Sequence, residues 1–226
     1  MGYYDNYAQE KMLVSVDCII FGFDEGKLKI LIGRRKYDPG RGEWSLYGGF
    51  VAAAESVDDA ASRVLYELTG MRNVYMKQVG AFGHVDRDPG ARVVSVAYYA
   101  LINVKDYDEK LRVEHGVEWV DVEKMPVMYS DHTKMVACAR KMMQDKLKTE
   151  PAGFNLLPPL FTLTQLQRLY EVVYGQELDK RNFRKRVKEM ESIEKTELID
   201  KKSSKRGAAL YRFNDKIYNE EQYFKL

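Results

Sequence analysis

Two cysteines, three histidines and six prolines in 226 residues set the first limits. Cys18 and Cys138 are too few for a disulfide framework or a four-ligand zinc site, so a reducing cytoplasm is the expected setting. No apolar run approaches the roughly 20 residues that span a bilayer, and no membrane partner is expected. The opening MGYYDNYAQEKM lacks the basic start and apolar middle of a signal peptide. Asn6 stands where N-myristoylation would want Ser or Thr. Internal repeats and low-complexity tracts are also missing.

What is present is a charge asymmetry hidden by a net charge of +2. Residues 1–153 hold 21 Lys+Arg against 23 Asp+Glu, whereas residues 154–226 hold 15 against 11. A polyanion would therefore meet the C-terminal third. KTEPAGFNLLPPL at 148–160 contains three of the six prolines and reads as a domain boundary. It separates residues 1–150 from residues 154–226.

In the first part, β-branched runs at 12–22 and 28–34 flank DEGK, as in a hairpin. Further strands are expected at 74–82, 92–103 and 117–121. One helix should run from the Ser56 cap to Thr69, stopped by Gly70, and another over about 131–147. In the second part, helices at about 164–174 and 179–191 are separated by Gly175. Strands near 194–199 and 208–213 then flank a basic loop. That order is the winged-helix plan.

Residues 49–71 carry a specific pattern: Gly49, Glu55, Arg63, Leu65, Glu67, Gly70 and Met71 at fixed offsets, preceded by WSLYGGF. This resembles the Nudix box of nucleoside-diphosphate-X hydrolases, with Tyr47 in place of the usual proline. The resemblance implies a Nudix α/β/α sandwich. Two of the family's glutamates are Val64 and Leu68 here. Magnesium wants hard oxygen ligands in near-octahedral geometry, and it is the metal that activates water in such enzymes. At about 100° per residue, Val57, Ala60, Ala61, Val64, Leu65 and Leu68 share one apolar arc. Arg63 and Glu67 are spaced to pair across one turn, and Glu55 should steady the loop. The expectation is a fold kept and a reaction lost, with no metal and no cofactor.

In LDKRNFRKRVKEM, Phe183, Val187 and Met190 should face the core. Arg181, Lys185 and Lys188 lie opposite, with Arg184 on the flank. As the second helix of a helix–turn–helix, this segment should enter the major groove. Arg181, Asn182 and Arg184 are the base-reading candidates, and Lys185 and Lys188 the phosphate contacts. Lys201, Lys202, Lys205 and Arg206, with two serines between them, suit backbone or minor-groove contact.

Nudix-like residues followed by GFNLLPPLFTLTQLQRLYE and LDKRNFRKRV resemble the Nudix-related transcriptional regulators over nearly the whole chain. The resemblance implies an α+β chain: a Nudix sandwich that senses an effector, then a winged helix that binds double-stranded DNA. It also implies a homodimer on a palindromic operator, acting in sugar catabolism or nicotinamide-cofactor metabolism. The sugar-responsive branch looks nearest, which makes L-arabinose the expected effector and a repressor the expected role. ADP-ribose is the alternative, and an active Nudix hydrolase or an RNA-binding scaffold are rival classes. For a sugar, Trp44, Tyr47, Glu67, His84, Asp86 and Tyr129 are the candidate contacts. For a diphosphate, Arg34, Arg35, Arg87 and Arg92 are the candidates.

Overall fold

The computed structural model describes residues 11–72, 74–107, 109–149, 155–201 and 207–214. Two compact units emerge. One takes the described residues up to Phe21, with Ile30–Ala100 and Tyr107–Met142; the other takes Gly22–Lys29, Leu101–Asp106 and the described residues from Met143 onward.

The first unit is built on a seven-stranded sheet. Its strands are β1 (Leu13–Asp24), β2 (Lys27–Arg34), β3 (Trp44–Ser45), β4 (Tyr47–Phe50), β5 (Met76–Phe82), β6 (Val93–Asn103) and β7 (Val117–Asp121). The order is β3-β2-β1-β6-β5, with β4 also on β1 and β7 on β2. β1 and β2 are fully buried through their centres, Ile19–Phe21 and Ile30–Ile32, which is the sign of strands covered on both faces. The DEGK turn is a hairpin with positive φ at both central residues, 49° at Glu25 and 72° at Gly26. That pairing matches the twist of the flanking strands.

Helix α1 (Val57–Thr69) starts with a reciprocal capping box between Ser56 and Asp59 and ends at Gly70 in the left-handed region, φ 68°. It buries Ala60, Ala61, Val64, Leu65 and Leu68 and lies against β4 and the short helix α2 (Glu109–His115). α2 was not foreseen; its seven residues are too few for a hydrophobic period to show. Helix α3 (His132–Thr149) is close to the expected 131–147.

In the second unit, β8 (Phe161–Thr162), β9 (Ile193–Asp200) and β10 (Ala208–Phe213) form a sheet in the order β8-β10-β9. Helix α4 (Leu163–Tyr174) has a Thr162–Gln165 capping box and a Gly175 cap, φ 68°. Helix α5 (Lys180–Lys188) is capped by Asp179. It ends three residues before the expected 191. The Glu189 and Met190 amides bond back to Arg186 and Val187, which tightens the last turn and closes the helix. The core here is Leu166, Leu169, Val173 and Val187. Among the described residues, no helix is long and apolar enough to cross a membrane.

Candidate functional site

A cleft of about 680 Å³ opens on the first unit. Its floor is a buried polar cluster centred on Asp17 of β1. Asp17 Oδ2 accepts the Ser95 hydroxyl at 2.5 Å and lies 3.6 Å from Arg87 Nη2. Its Oδ1 is 3.7 Å from His132 Nε2. The carboxylate fits because a glycine passes beneath it: a Cβ on Gly48 would sit 2.3 Å from Asp17 Oδ1. Arg87 forks onto Asp131, Nε at 3.0 Å and Nη2 at 2.8 Å. Burial would lift the Asp131 carboxyl, but the paired bonds and charge of Arg87 outweigh it and hold it below the usual range. Burial pushes His132 the other way, below an ordinary histidine, against the pull of Asp17 and Asp131. The ring is thus neutral near pH 7. Its Nδ1 accepts the Leu46 amide at 3.2 Å, which leaves its proton on Nε2, facing Asp17.

Two arginines line the rim, each stacked on an aromatic face. The Arg34 guanidinium carbon lies 3.7 Å from the Trp44 ring centroid and that of Arg35 3.9 Å from the Tyr129 centroid. Each is also held by a backbone carbonyl: Arg34 Nη1 to Gly42 at 2.8 Å and Arg35 Nε to Pro39 at 2.8 Å. Stacking and one carbonyl fix each fork while leaving further N–H donors, the geometry suited to an oxyanion. The Tyr129 hydroxyl is buried with no hydrogen-bond partner among the described residues. Tyr47 also lines the cleft, its hydroxyl 3.3 Å from His115 Nδ1.

The helix that carries the Nudix-like spacing offers no cation platform. Val64 and Leu68 are 1% and 0% exposed, and Gly49 packs so closely that a Cβ there would touch Val64 at 3.0 Å. The remaining acids are already occupied. Glu55 binds Arg63 through both oxygens, at 2.7 and 3.0 Å, and accepts the Ala52 amide at 2.8 Å. Glu67 meets Arg63 at 3.3 Å. Those bonds from Arg63 and the Ala52 amide hold the Glu55 carboxyl down at about 2. Among the described residues no cluster of His, Cys, Asp and Glu could hold a metal ion. The donor set does not fit the magnesium that Nudix hydrolysis uses.

In the second unit, Arg181, Asn182, Arg184, Lys185 and Lys188 are all exposed on α5. Val187 is buried and Phe183 meets Tyr170 edge-on at 5.8 Å, so the expected core face holds. Met190, half-buried, lies past the helix end. Lys201 is exposed just after β9. Lys202, Lys205 and Arg206 lie outside the described residues, as do the tyrosines at positions 3–7.

Of the candidate sugar contacts, Tyr47 and Tyr129 line the cleft. Trp44 stands behind Arg34 as its stacking partner. His84 and Asp86 border a smaller neighbouring hollow that shares Arg87 and Tyr129 with the cleft. Glu67 is on the exposed side of α1, engaged with Arg63. Of the candidate diphosphate contacts, Arg34, Arg35 and Arg87 line the cleft, while Arg92 bonds the His84 carbonyl at 3.3 Å. Sequence reasoning missed Asp17, Ser45, Ser95, Asp131 and His132. One signal was available, a lone aspartate inside the apolar run LVSVDCIIFG, since a buried carboxylate needs partners.

Comparison with known proteins finds two families along the chain. Residues 11–145 match the NUDIX domain, and residues 153–213 match the NrtR DNA-binding winged helix domain. The "ADPR responsive transcriptional repressor NtrR" of Acinetobacter baylyi is 38% identical over 206 residues, covering 89% of this chain and 82% of that protein. Shewanella oneidensis NrtR crystallised with a 27mer DNA superposes with a TM-score of 0.81 at 28% identity, over 89% of this chain and 93% of that one. The NUDIX domain of the same protein, in a cocrystal with ADP ribose, gives 0.50 at 28% identity over 62% and 94%. These relatives overturn the expected tie to arabinose regulators and sugar catabolism: the relative aligned over most of the chain is named as ADPR responsive, and the similar NUDIX domain is complexed with ADP ribose. A Nudix sandwich followed by a DNA-binding winged helix, aligned along most of its length with a repressor of this type, places the chain in the NrtR family of Nudix-related transcriptional regulators.

Proposed function

We propose that this protein is a transcriptional repressor whose cleft binds ADP-ribose without hydrolysing it, and that binding releases it from DNA. The observation that carries this reading is the pairing of a cationic cleft rim with an α1 whose inner face is filled by Val64 and Leu68. Arg34 and Arg35 are pre-stacked and keep free donors, which suits a diphosphate. Val64 and Leu68 occupy positions where hydrolysis would want carboxylates. Tyr129, with its unsatisfied hydroxyl, and the Asp17 floor suit the polar edges of a nucleoside sugar. The relatives that respond to or bind ADP-ribose support the same ligand.

On DNA, the exposed α5 is the recognition helix. Arg181, Asn182 and Arg184 read bases, and Lys185, Lys188 and Lys201 hold phosphates, with Lys202, Lys205 and Arg206 assigned to the same backbone contact from sequence alone. The protein acts as a homodimer, so its operator is palindromic with half-sites one helical turn or a multiple apart. Because ADP-ribose is a breakdown product of nicotinamide dinucleotide, genes of nicotinamide-cofactor metabolism are the fitting targets.

The test is fluorescence anisotropy on duplex from upstream of the protein's own gene, at fixed salt, titrated with ADP-ribose. Release by ADP-ribose, with AMP and ribose 5-phosphate inactive, is the expected result. Specific binding indifferent to ADP-ribose would sink the effector assignment. Turnover of ADP-ribose to AMP with magnesium would restore the hydrolase.

A further inference from the structure

Three rods begin at the cleft and end in the second unit. β1 carries Ser15 and Asp17 in the cleft and runs on to Asp24, a further seven residues or about 23 Å of strand. β2 returns from Lys27 to Gly33 and Arg34 on the rim. α3 starts with His132 in the cleft wall and reaches Gln144 after twelve residues, about 18 Å of helix. The hairpin tip, Gly22–Lys29, and the end of α3, from Met143, belong to the second unit.

Within that unit both ends bear on α4. The Arg168 side chain lies flat across Gly26; a Cβ there would sit 3.1 Å from its Nε and 3.5 Å from its Cγ. Gly26 therefore serves twice, giving the turn its φ of 72° and giving Arg168 a bare surface. The Asp24–Lys29 pair at 2.9 Å braces the tip. Gln144 Nε2 donates to the Val173 carbonyl at 2.7 Å. That carbonyl is in the last turn of α4, where no helical amide is left to meet it.

α4 in turn grips α5. Arg168 Nη1 is 3.6 Å from Glu171 Oε2. Glu171 Oε1 accepts both Gln167 Nε2, at 3.0 Å, and the Leu178 amide, at 3.2 Å. Gln167 also donates to the Leu178 carbonyl at 3.0 Å. The next residue, Asp179, caps α5. The turn is thus tied to one side-chain knot that includes Arg168.

We infer that Arg168 and Gln144 are the positioning residues through which cleft occupancy reaches the recognition helix, with Glu171 handing the position of α4 to α5. This inference rests on the proposed function, since it needs an effector in the cleft. A ligand that shifts Asp17, Arg34 or His132 by a fraction of an ångström shifts stiff elements whose far ends press on α4.

The test is the full-length double variant Arg168→Ala with Gln144→Ala, neither residue being in the cleft or on the α5 face. Operator affinity is measured by anisotropy with and without saturating ADP-ribose, and ADP-ribose affinity for the free protein by calorimetry. Wild type should shift by about 5–150-fold. The double variant should keep both individual affinities and lose the shift to within about two-fold, and by reciprocity DNA should stop altering its ADP-ribose affinity. A double variant with the full wild-type shift overturns the inference while leaving the function standing. Wild type that binds DNA but ignores ADP-ribose overturns the function and this inference with it. If the double variant no longer binds DNA, the single variants decide: a reduced shift in either supports the inference, and full shifts in both overturn it.

Discussion

α1 and α5 are both short amphipathic helices with arginine on the outer side, and the arginines behave in opposite ways. On α1, Arg63 is consumed internally by Glu55, Glu67 and the Phe50 carbonyl. Asp58 and Asp59 in the first turn complement the helix dipole. α5 has no acid in its first turn beyond the Asp179 cap; it has Lys180 and Arg181, the wrong sign for that end. Arg181 with Lys185, and Arg184 with Lys188, are like charges one turn apart, each pair worth a few tenths of a kcal/mol against the helix. Among the described residues no carboxylate answers them. A helix whose charges are mutually satisfied is finished as it stands. One whose charges repel is completed by an anionic partner, and it is held meanwhile by its cap and by Phe183 and Val187.

The comparison breaks most visibly at Leu68. Replacing it with glutamate restores one of the two missing Nudix glutamates on paper but buries an unpaired carboxylate, and should destabilise the first unit by about 3–5 kcal/mol. Chemical denaturation reads this directly; a near-neutral outcome, with magnesium binding gained, would mean that the α1 face is still open. Next in size is Arg184→Ala. It should weaken operator binding by about 1–3 kcal/mol if the residue reads a base, with an unchanged or slightly raised melting temperature because a repulsion is removed. A uniform loss on all duplexes would make it a phosphate contact, and a loss of melting temperature would contradict the contrast with α1.

The smallest effect tests how committed the α1 acids are. Glu55 should titrate near 2 by carboxyl NMR, and Arg63→Ala should return it towards the ordinary value near 4.5. Because the folded value is depressed, the stability it lends is complete above about 4.5 and disappears as pH falls through about 2. A Glu55 that titrates normally in the wild type would leave Arg63 as free as the arginines of α5.

Local signals made much of this fold legible. Ser56 and Gly70 bound α1, Gly175 ends α4, and DEGK is a hairpin, because caps and turns are written within a few residues of where they act. The fixed offsets from Gly49 to Met71 were equally readable. The cleft floor was not: Ser95 meets Asp17 across 78 positions and Ser45 meets His132 across 87, contacts set by how strands and helices are brought together rather than by any local pattern. The choice between sugar and nucleotide failed for a related reason. Loss of metal ligands speaks to hydrolysis and says nothing about whether a diphosphate binds, and the stacking of Arg34 on Trp44 and of Arg35 on Tyr129 is visible only in the structure.

Filling the former ligand positions with Val64 and Leu68 also bears on what kind of signal the proposed repressor can carry. A protein that destroys what it senses reports a balance between supply and its own appetite, and its answer drifts with its abundance. A cleft that returns its ligand intact does not consume the message it reads: while its copies are few against the ligand it reports concentration, and it answers equally to a rise and a fall.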